Sequence, residues 1–369
     1  MPRIRRALSA AAIALAMTAG LVSCGHGHDS PAARRSPRSP AVPALQAWVH
    51  PGSAGDPVCS APAEYRDGRL RKGTLKAEYW EVDLHGELAL QSAGELPCNG
   101  FSEANAAEVK RNSAYQYTTV SAMDHGAVAA LVNDPARRTR AAGRLTDLAK
   151  RIGFTGVDID FEDFWSWSAR DERGFEAFLA ELARGLHSAG LRLQVDAPAQ
   201  LHDGDSPFSF KGALGAGADQ LVVMAYGRVF ASSGDERCLA IAPDDWVRDA
   251  VRYARSQVPD PERLVIGLPS YGVSAPDPCD PKRVQDSQPL TVTRRRPGYS
   301  EDPEVIRRRR DPGSGEVRWV DQGTLYDYAD QTTMDARLAL LTRLGVRHVS
   351  VWVLGGGNPW FSAKALSGG

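Results

Sequence analysis

The sequence has only five cysteines in 369 residues. No two are spaced as Cys-x-x-Cys, which argues against a zinc site. It has no excess of charge: 44 Lys and Arg stand against 45 Asp and Glu, a formal net charge of −1. Global charge therefore does not direct the chain to nucleic acid. No Gly-x-Gly-x-x-Gly follows the first predicted strand, which counts against a dinucleotide-binding sheet. Its longest apolar run, residues 7–23, is too short for a membrane span. What is present is 43% hydrophobic and 24% charged residues, enough for one large domain or two small ones around an ample core.

The first residues read as an export signal. "MPRIRR" is a basic n-region, "ALSAAAIALAMTAGLVS" an apolar h-region, and "LVSC" resembles a bacterial lipobox. Residues 1–24 are thus expected to be a lipoprotein signal ending on a lipidated Cys24. An ordinary secretory signal with Cys24 as a core cysteine is the alternative. Residues 25–43 are rich in Pro, Ser and Gly and are expected to be a flexible tether, with His26 and His28 solvated. The predicted location is the extracellular face of a bacterial membrane, held there by lipid. Cys59, Cys98, Cys238 and Cys279 remain, an even number that suggests two disulfides in an exported chain, with three pairings open.

From residue 44 to residue 369, apolar runs alternate with amphipathic ones. Strands are predicted at 45–50, 75–84, 115–121, 156–162, 191–197, 220–226, 263–268 and 347–354. Helical patterns lie between several of them. In "RGFEAFLAELARGLHSAG", Phe175, Phe178, Leu179, Leu182 and Leu186 form one stripe. "FKGALGAGAD" is a poor helix former. Eight strands alternating with helices predict an α/β fold, a (β/α)8 TIM barrel; an open doubly wound sheet is the second choice. The last two strands stand too far apart for a plain loop. Residues 275–325 are expected to be a small inserted subdomain. Its arginines, 294–296 and 307–310, read as a solvated face, with contact to an anionic cell-wall polymer as the alternative.

The chemistry concentrates in "GFTGVDIDFEDF", residues 153–164. Strand side chains alternate faces, so Asp158, Asp160 and Glu162 share one face at steps of ~6.6 Å. Val157, Ile159 and Phe161 point to the helices. In a barrel the acid face is the interior, and Glu162 reaches the C-terminal end where barrel enzymes keep their active sites. Crowded, desolvated carboxylates tend to retain protons, and a protonated Glu at the mouth can act as general acid. Acids neutralised by Lys or Arg, or a Mg²⁺ site on "DID", are the competing readings.

"FTGVDIDFE" closely resembles the signature of glycoside hydrolase family 18, the chitinase family, whose pattern is Asp-Gly-x-Asp-x-Asp-x-Glu. Gly156, Asp158, Asp160 and Glu162 match it, and Thr155 replaces the first Asp. "MAYG" resembles the family's Met-x-Tyr-Asp on the sixth strand, with Met224 and Tyr226 in place and Gly227 for the Asp. "LVIGLPSYG" resembles the seventh strand. "VWVLGG" resembles the eighth, making Trp352 the floor of the sugar site. The similarity runs from about residue 45 to the end and is nearest to bacterial spore-cortex and cell-wall glucosaminidases. The Ser-x-Gly-Gly of many chitinases is missing; "SAMDHG" stands there.

The resemblance implies hydrolysis of β-1,4-linked N-acetylglucosamine polymers, chitin-like or peptidoglycan, with retention and without metal or cofactor. Glu162 is the implied acid and base. Asp160 orients the substrate's 2-acetamido group, Asp158 tunes Asp160, and Tyr226 hydrogen-bonds the acetamide. Trp352, Met224, Trp165 and Trp167 are the candidate sugar contacts, the last two with loop packing as the alternative. Placed on the family barrel, the cysteines follow strands one, two, six and seven, which implies Cys59–Cys98 and Cys238–Cys279. A monomer is expected. A non-catalytic glycan-binding relative, or an envelope interaction module with a relic ladder, is the rival reading.

Overall fold

The computed structural model describes residues 43–50, 61–94, 100–231, 240–276 and 284–359, with the side chains of 231 and 285–288 excepted. The leader, all but the last residue of the tether, and Cys24, Cys59, Cys98, Cys238 and Cys279 lie outside the described residues.

The strands, in chain order, begin with β1 (Ala44–Val49), β2 (Thr74–Val82), β3 (Leu88–Leu90), β4 (Tyr115–Ala122) and β5 (Gly156–Phe161). They continue with β6 (Arg192–Pro198), β7 (Gln220–Met224) and β8 (Leu264–Pro269). The remaining strands are β9 (Gly272–Ala275), β10 (Gln285–Gln288), β11 (Val317–Asp321), β12 (Thr324–Tyr328) and β13 (His348–Trp352). Eight of them pair in parallel in the order β1-β13-β8-β7-β6-β5-β4-β2, and β2 returns to β1. The sheet is thus a closed barrel, and an open sheet is ruled out. Each of the eight predicted strands is present, shifted at its ends by at most two residues. β3 only extends β2 as an antiparallel edge.

The helices follow from local sequence. Ala169–Ser188 starts on a capping box between Ser168 and Asp171 and buries the predicted stripe of Phe175, Phe178, Leu179, Leu182 and Leu186. Pro135–Ile152 is capped by Asp134, carries proline at its first turn, and stops on Gly153 in the left-handed conformation. Phe210–Gly215 is only six residues long, as its glycine content dictates. The outward face of β5 meets this layer as expected: Phe161 stacks on Phe178 with centroids 5.9 Å apart.

Between β8 and β13 lies a second, antiparallel sheet in the order β10-β9-β12-β11. Its own small core joins Val317, Trp319, Tyr326 and Tyr328, with Tyr299 and Ile306 against them. Several of the arginines serve this unit. Arg309 lies over Trp319, Arg307 pairs with Glu304, and Arg310 pairs with Asp330.

Candidate active site

β5 begins on glycine because nothing larger fits. A Cβ at Gly156 would stand 2.0 Å from the Arg192 carbonyl oxygen. Thr155, just before it, accepts the Gln116 N–H on its hydroxyl at 3.1 Å. From Gly156 the two-residue period carries Asp158 and Asp160 inward, both sealed from solvent. Glu162 lies one residue beyond the strand, half-buried, with its N–H donating to the Ala122 carbonyl at 2.9 Å. Asp163 turns away and pairs with His125 at 3.1 Å.

The ladder is part of a larger charge cluster. Across the sheet, Glu78 of β2 is in register with Thr119, Thr119 with Asp158, and Asp158 with Gln194. Glu78 and Asp196 are as buried as Asp158 and Asp160. The cation between the acids is Lys76. Its ammonium stands 3.3 Å from Asp158 Oδ2 and 3.3 Å from Asp196 Oδ1. Asp158 Oδ2 also accepts from the Thr119 hydroxyl at 2.9 Å. The reading of buried acids met by a lysine is therefore correct for Asp158, the lowest of the three.

Burial sets the electrostatics. Loss of water pushes the Asp160 carboxyl well above its ordinary range, and the nearby charges of Glu162 and Asp196 add to the rise. Glu78 is raised by burial first, then by Glu162 and Asp158. Asp196 is raised by burial and Asp158, against the pull of Lys76. The interior thus holds protons to a higher pH than free carboxyls do, within the field of a half-exposed glutamate at the mouth.

Tyr226 stands two residues past β7, its ring edge-on to Tyr271 at 6.2 Å. Gly267 makes room for it, since a Cβ there would come within 3.0 Å of the Tyr226 ring. Burial drives its phenol pKa up, followed by the charges of Glu162 and Asp160. Tyr226, Asp160 and Glu162 therefore converge. Met224 is the last residue of β7 and is buried in the core.

Trp352 ends β13 half-buried, with Trp48 edge-on at 5.7 Å and His50 at 6.0 Å. The loop beyond it is held by Glu64, whose carboxylate accepts the N–H groups of Gly355 at 2.8 Å and Gly357 at 2.9 Å. The two tryptophans after β5 part company. Trp165 is 67% exposed, whereas Trp167 is buried against Phe164, Phe175 and Phe208. The cause is the 3-10 turn Phe164–Ser166, which sets positions 164 and 167 on one side. Trp167 is a core residue in this fold, and its sugar contact is corrected to packing.

Sequence reasoning missed Lys76, Glu78, Asp196 and Trp48. In "LKAEYWEV" alternation puts Lys76 and Glu78 on one strand face, but nothing in that stretch says which acids the lysine meets.

Residues 111–355 match the family model of glycosyl hydrolases family 18. The chain belongs to that family. It is 31% identical over 157 residues to "Putative sporulation-specific glycosylase YdhD" of Bacillus subtilis (strain 168), covering 42% of this chain and 36% of that protein. The chain thus spans little more than a third of that relative's length. Among solved structures, a class V chitinase from Pseudomonas fluorescens Pf-5 superposes with TM-score 0.65 at 23% identity, over 89% of this chain and 99% of that one. The Bacillus cereus spore cortex-lytic enzyme SleL gives 0.67 at 16% identity, over 88% and 73%. These likenesses carry the fold; the family membership rests on the sequence match.

Proposed function

We propose that this family 18 protein is a glycosidase that cleaves β-1,4-linked N-acetylglucosamine glycans with retention, using the substrate's own acetamido group as nucleophile. The observation that carries the reading is the ladder itself: Asp158 and Asp160 sealed inside the barrel, leading to a half-exposed Glu162 at the strand's C-terminal end.

Glu162 gives its proton to the glycosidic oxygen as the bond from that oxygen to the anomeric carbon breaks. The acetamide oxygen forms its own bond to that carbon, giving an oxazolinium ion. Asp160 orients the amide and stabilises its positive charge, and Asp158 shares a proton with Asp160. The Tyr226 phenol donates to the acetamide oxygen. Water then adds to the anomeric carbon, passing a proton back to Glu162 and opening the ring. The chain's own groups supply proton transfer and positioning, while the bonds to the anomeric carbon are made by the acetamide oxygen and then by water. Trp352 supplies the apolar face beneath the sugar, with exposed Trp165 as a further contact and Met224 packed in the core behind the site.

The named relatives, a sporulation glycosylase, a spore cortex-lytic enzyme and a chitinase, support peptidoglycan or chitin-like polymers as substrate. The export signal and lipobox in the sequence support a lipid-held enzyme on the outer face of the membrane, working as a monomer.

The chemistry is tested by comparing N-acetylated chitooligosaccharides with their deacetylated counterparts and following product anomers by proton NMR. Early β-anomer from acetylated substrate alone is expected. Early α-anomer, or equal cleavage of the deacetylated chain, would defeat the substrate-assisted reading.

A further inference from the structure

The barrel interior holds a cation that the reaction scheme does not use. Lys76 is fully buried on β2, two residues before Glu78. A buried ammonium is costly unless it is paired. Here its nitrogen lies 3.3 Å from Asp158 Oδ2, 3.3 Å from Asp196 Oδ1 and 3.2 Å from the centroid of the Trp48 ring. Asp158 Oδ2 is fixed from a second side by the Thr119 hydroxyl. Among the described residues, the other oxygen, Oδ1, has no hydrogen-bond partner, and neither has Asp160 Oδ1.

We propose that Lys76 is a positioning residue of the acid ladder. Its ammonium ties Asp158 to Asp196 and fixes Oδ2, leaving Oδ1 as the oxygen that shares a proton with Asp160. This rests on the hydrolytic reading above. Lys76 acts through the two aspartates and does not touch the sugar.

The charge balance of the interior gives the reason such a residue is needed. Glu78 stands on the same strand, Asp158, Asp160 and Glu162 on β5 and its end, and Asp196 on β6. His50 lies 3.9 Å from Glu78 at the end of β1. Among the described residues, Tyr117 of β4, Tyr226 past β7 and Tyr271 beside it are further titratable groups near this cluster. Without the ammonium, crowded acids in a site poor in water take up a further proton. That proton settles among the lower acids and breaks the arrangement in which Asp160 is the receiver.

Asp196 reports on the cluster independently of turnover, because burial pushes its carboxyl up while Lys76 holds it back. Carboxyl ¹³C NMR of aspartate-labelled protein, with the signal identified by Asp196→Asn, compares the full chain with Lys76→Met. The Asp196 midpoint is expected to rise by about one pH unit or more. The acid limb of kcat/KM on chitooligosaccharides moves up with it, and kcat falls by roughly tenfold or more with KM little changed. If Lys76→Met does not fold, the smaller change Lys76→Gln serves, with the same rise of the Asp196 midpoint expected. An unmoved Asp196 midpoint in the folded variant overturns the role of Lys76. An inactive wild type defeats the hydrolytic reading alone, since the Asp196 midpoint is still measured.

Discussion

The Trp48 indole meets Trp352 edge to face, centroids 5.7 Å apart and planes inclined at 69°, and carries the Lys76 ammonium 3.2 Å from its own centroid. One buried ring therefore touches both Trp352, the proposed sugar floor, and the cation at the base of the acid ladder. The two tryptophans should fail differently. Trp352→Ala removes a half-exposed stacking face and is expected to weaken chitooligosaccharide binding about tenfold, with a small change in stability. Trp48→Ala empties a fully buried site and is expected to cost roughly 3–5 kcal/mol in denaturant unfolding. Calorimetric titration and urea melts separate them, and a Trp352→Ala protein that binds like wild type would remove Trp352 from the sugar site.

Glu78 gives a prediction with a definite sign. Burial holds its carboxyl above the ordinary 4.5 in the folded protein, while the unfolded chain titrates near that value. The folded state then binds more protons through the window from about 4.5 up to the raised folded value. The contribution of Glu78 to stability is present below that window and lost as pH rises through it. Glu78→Gln cannot ionise, so it is expected to raise the melting temperature by roughly a few degrees at pH 8 and to leave it nearly unchanged at pH 4. An equal shift at both pH values would contradict this origin.

The barrel and its ladder were legible in the sequence because a strand's period is fixed. In "GVDIDF" alternation alone separates Asp158 and Asp160 from Ile159 and Phe161, and the helix partners Phe175 and Phe178 repeat at helical spacing. The cation was not legible. Lys76 lies 82 positions before Asp158 in sequence, and only closure of the barrel brings β2 and β6 to the same interior. Trp167 misled for a local reason: two tryptophans two residues apart looked equivalent, and a 3-10 turn sent them to opposite environments.

A buried ion pair helps to join the insertion to the barrel layer. Glu316 accepts the N–H groups of Ile241 at 2.9 Å and Ala242 at 3.0 Å and pairs with Arg337 of the helix Gln331–Arg343. Glu316→Ala strands a buried guanidinium and two amides, at an expected cost of about 3–5 kcal/mol. The double change Glu316→Leu with Arg337→Leu should cost less than the single one. Chemical denaturation of the three proteins checks the order, and a single change that costs no more than the double would contradict the pairing.

The central claim is that Glu162 is the acid at the mouth of a working glycosidase. Turnover and binding of chitooligosaccharides, and turnover of purified peptidoglycan, by the wild type and by Glu162→Gln test it most directly. The account predicts that wild type cleaves at least one of the two substrates. It also predicts that Glu162→Gln loses roughly 10²–10⁴-fold in turnover while still binding the oligosaccharide. Binding without turnover by the wild type, or equal turnover by the two proteins, would contradict it.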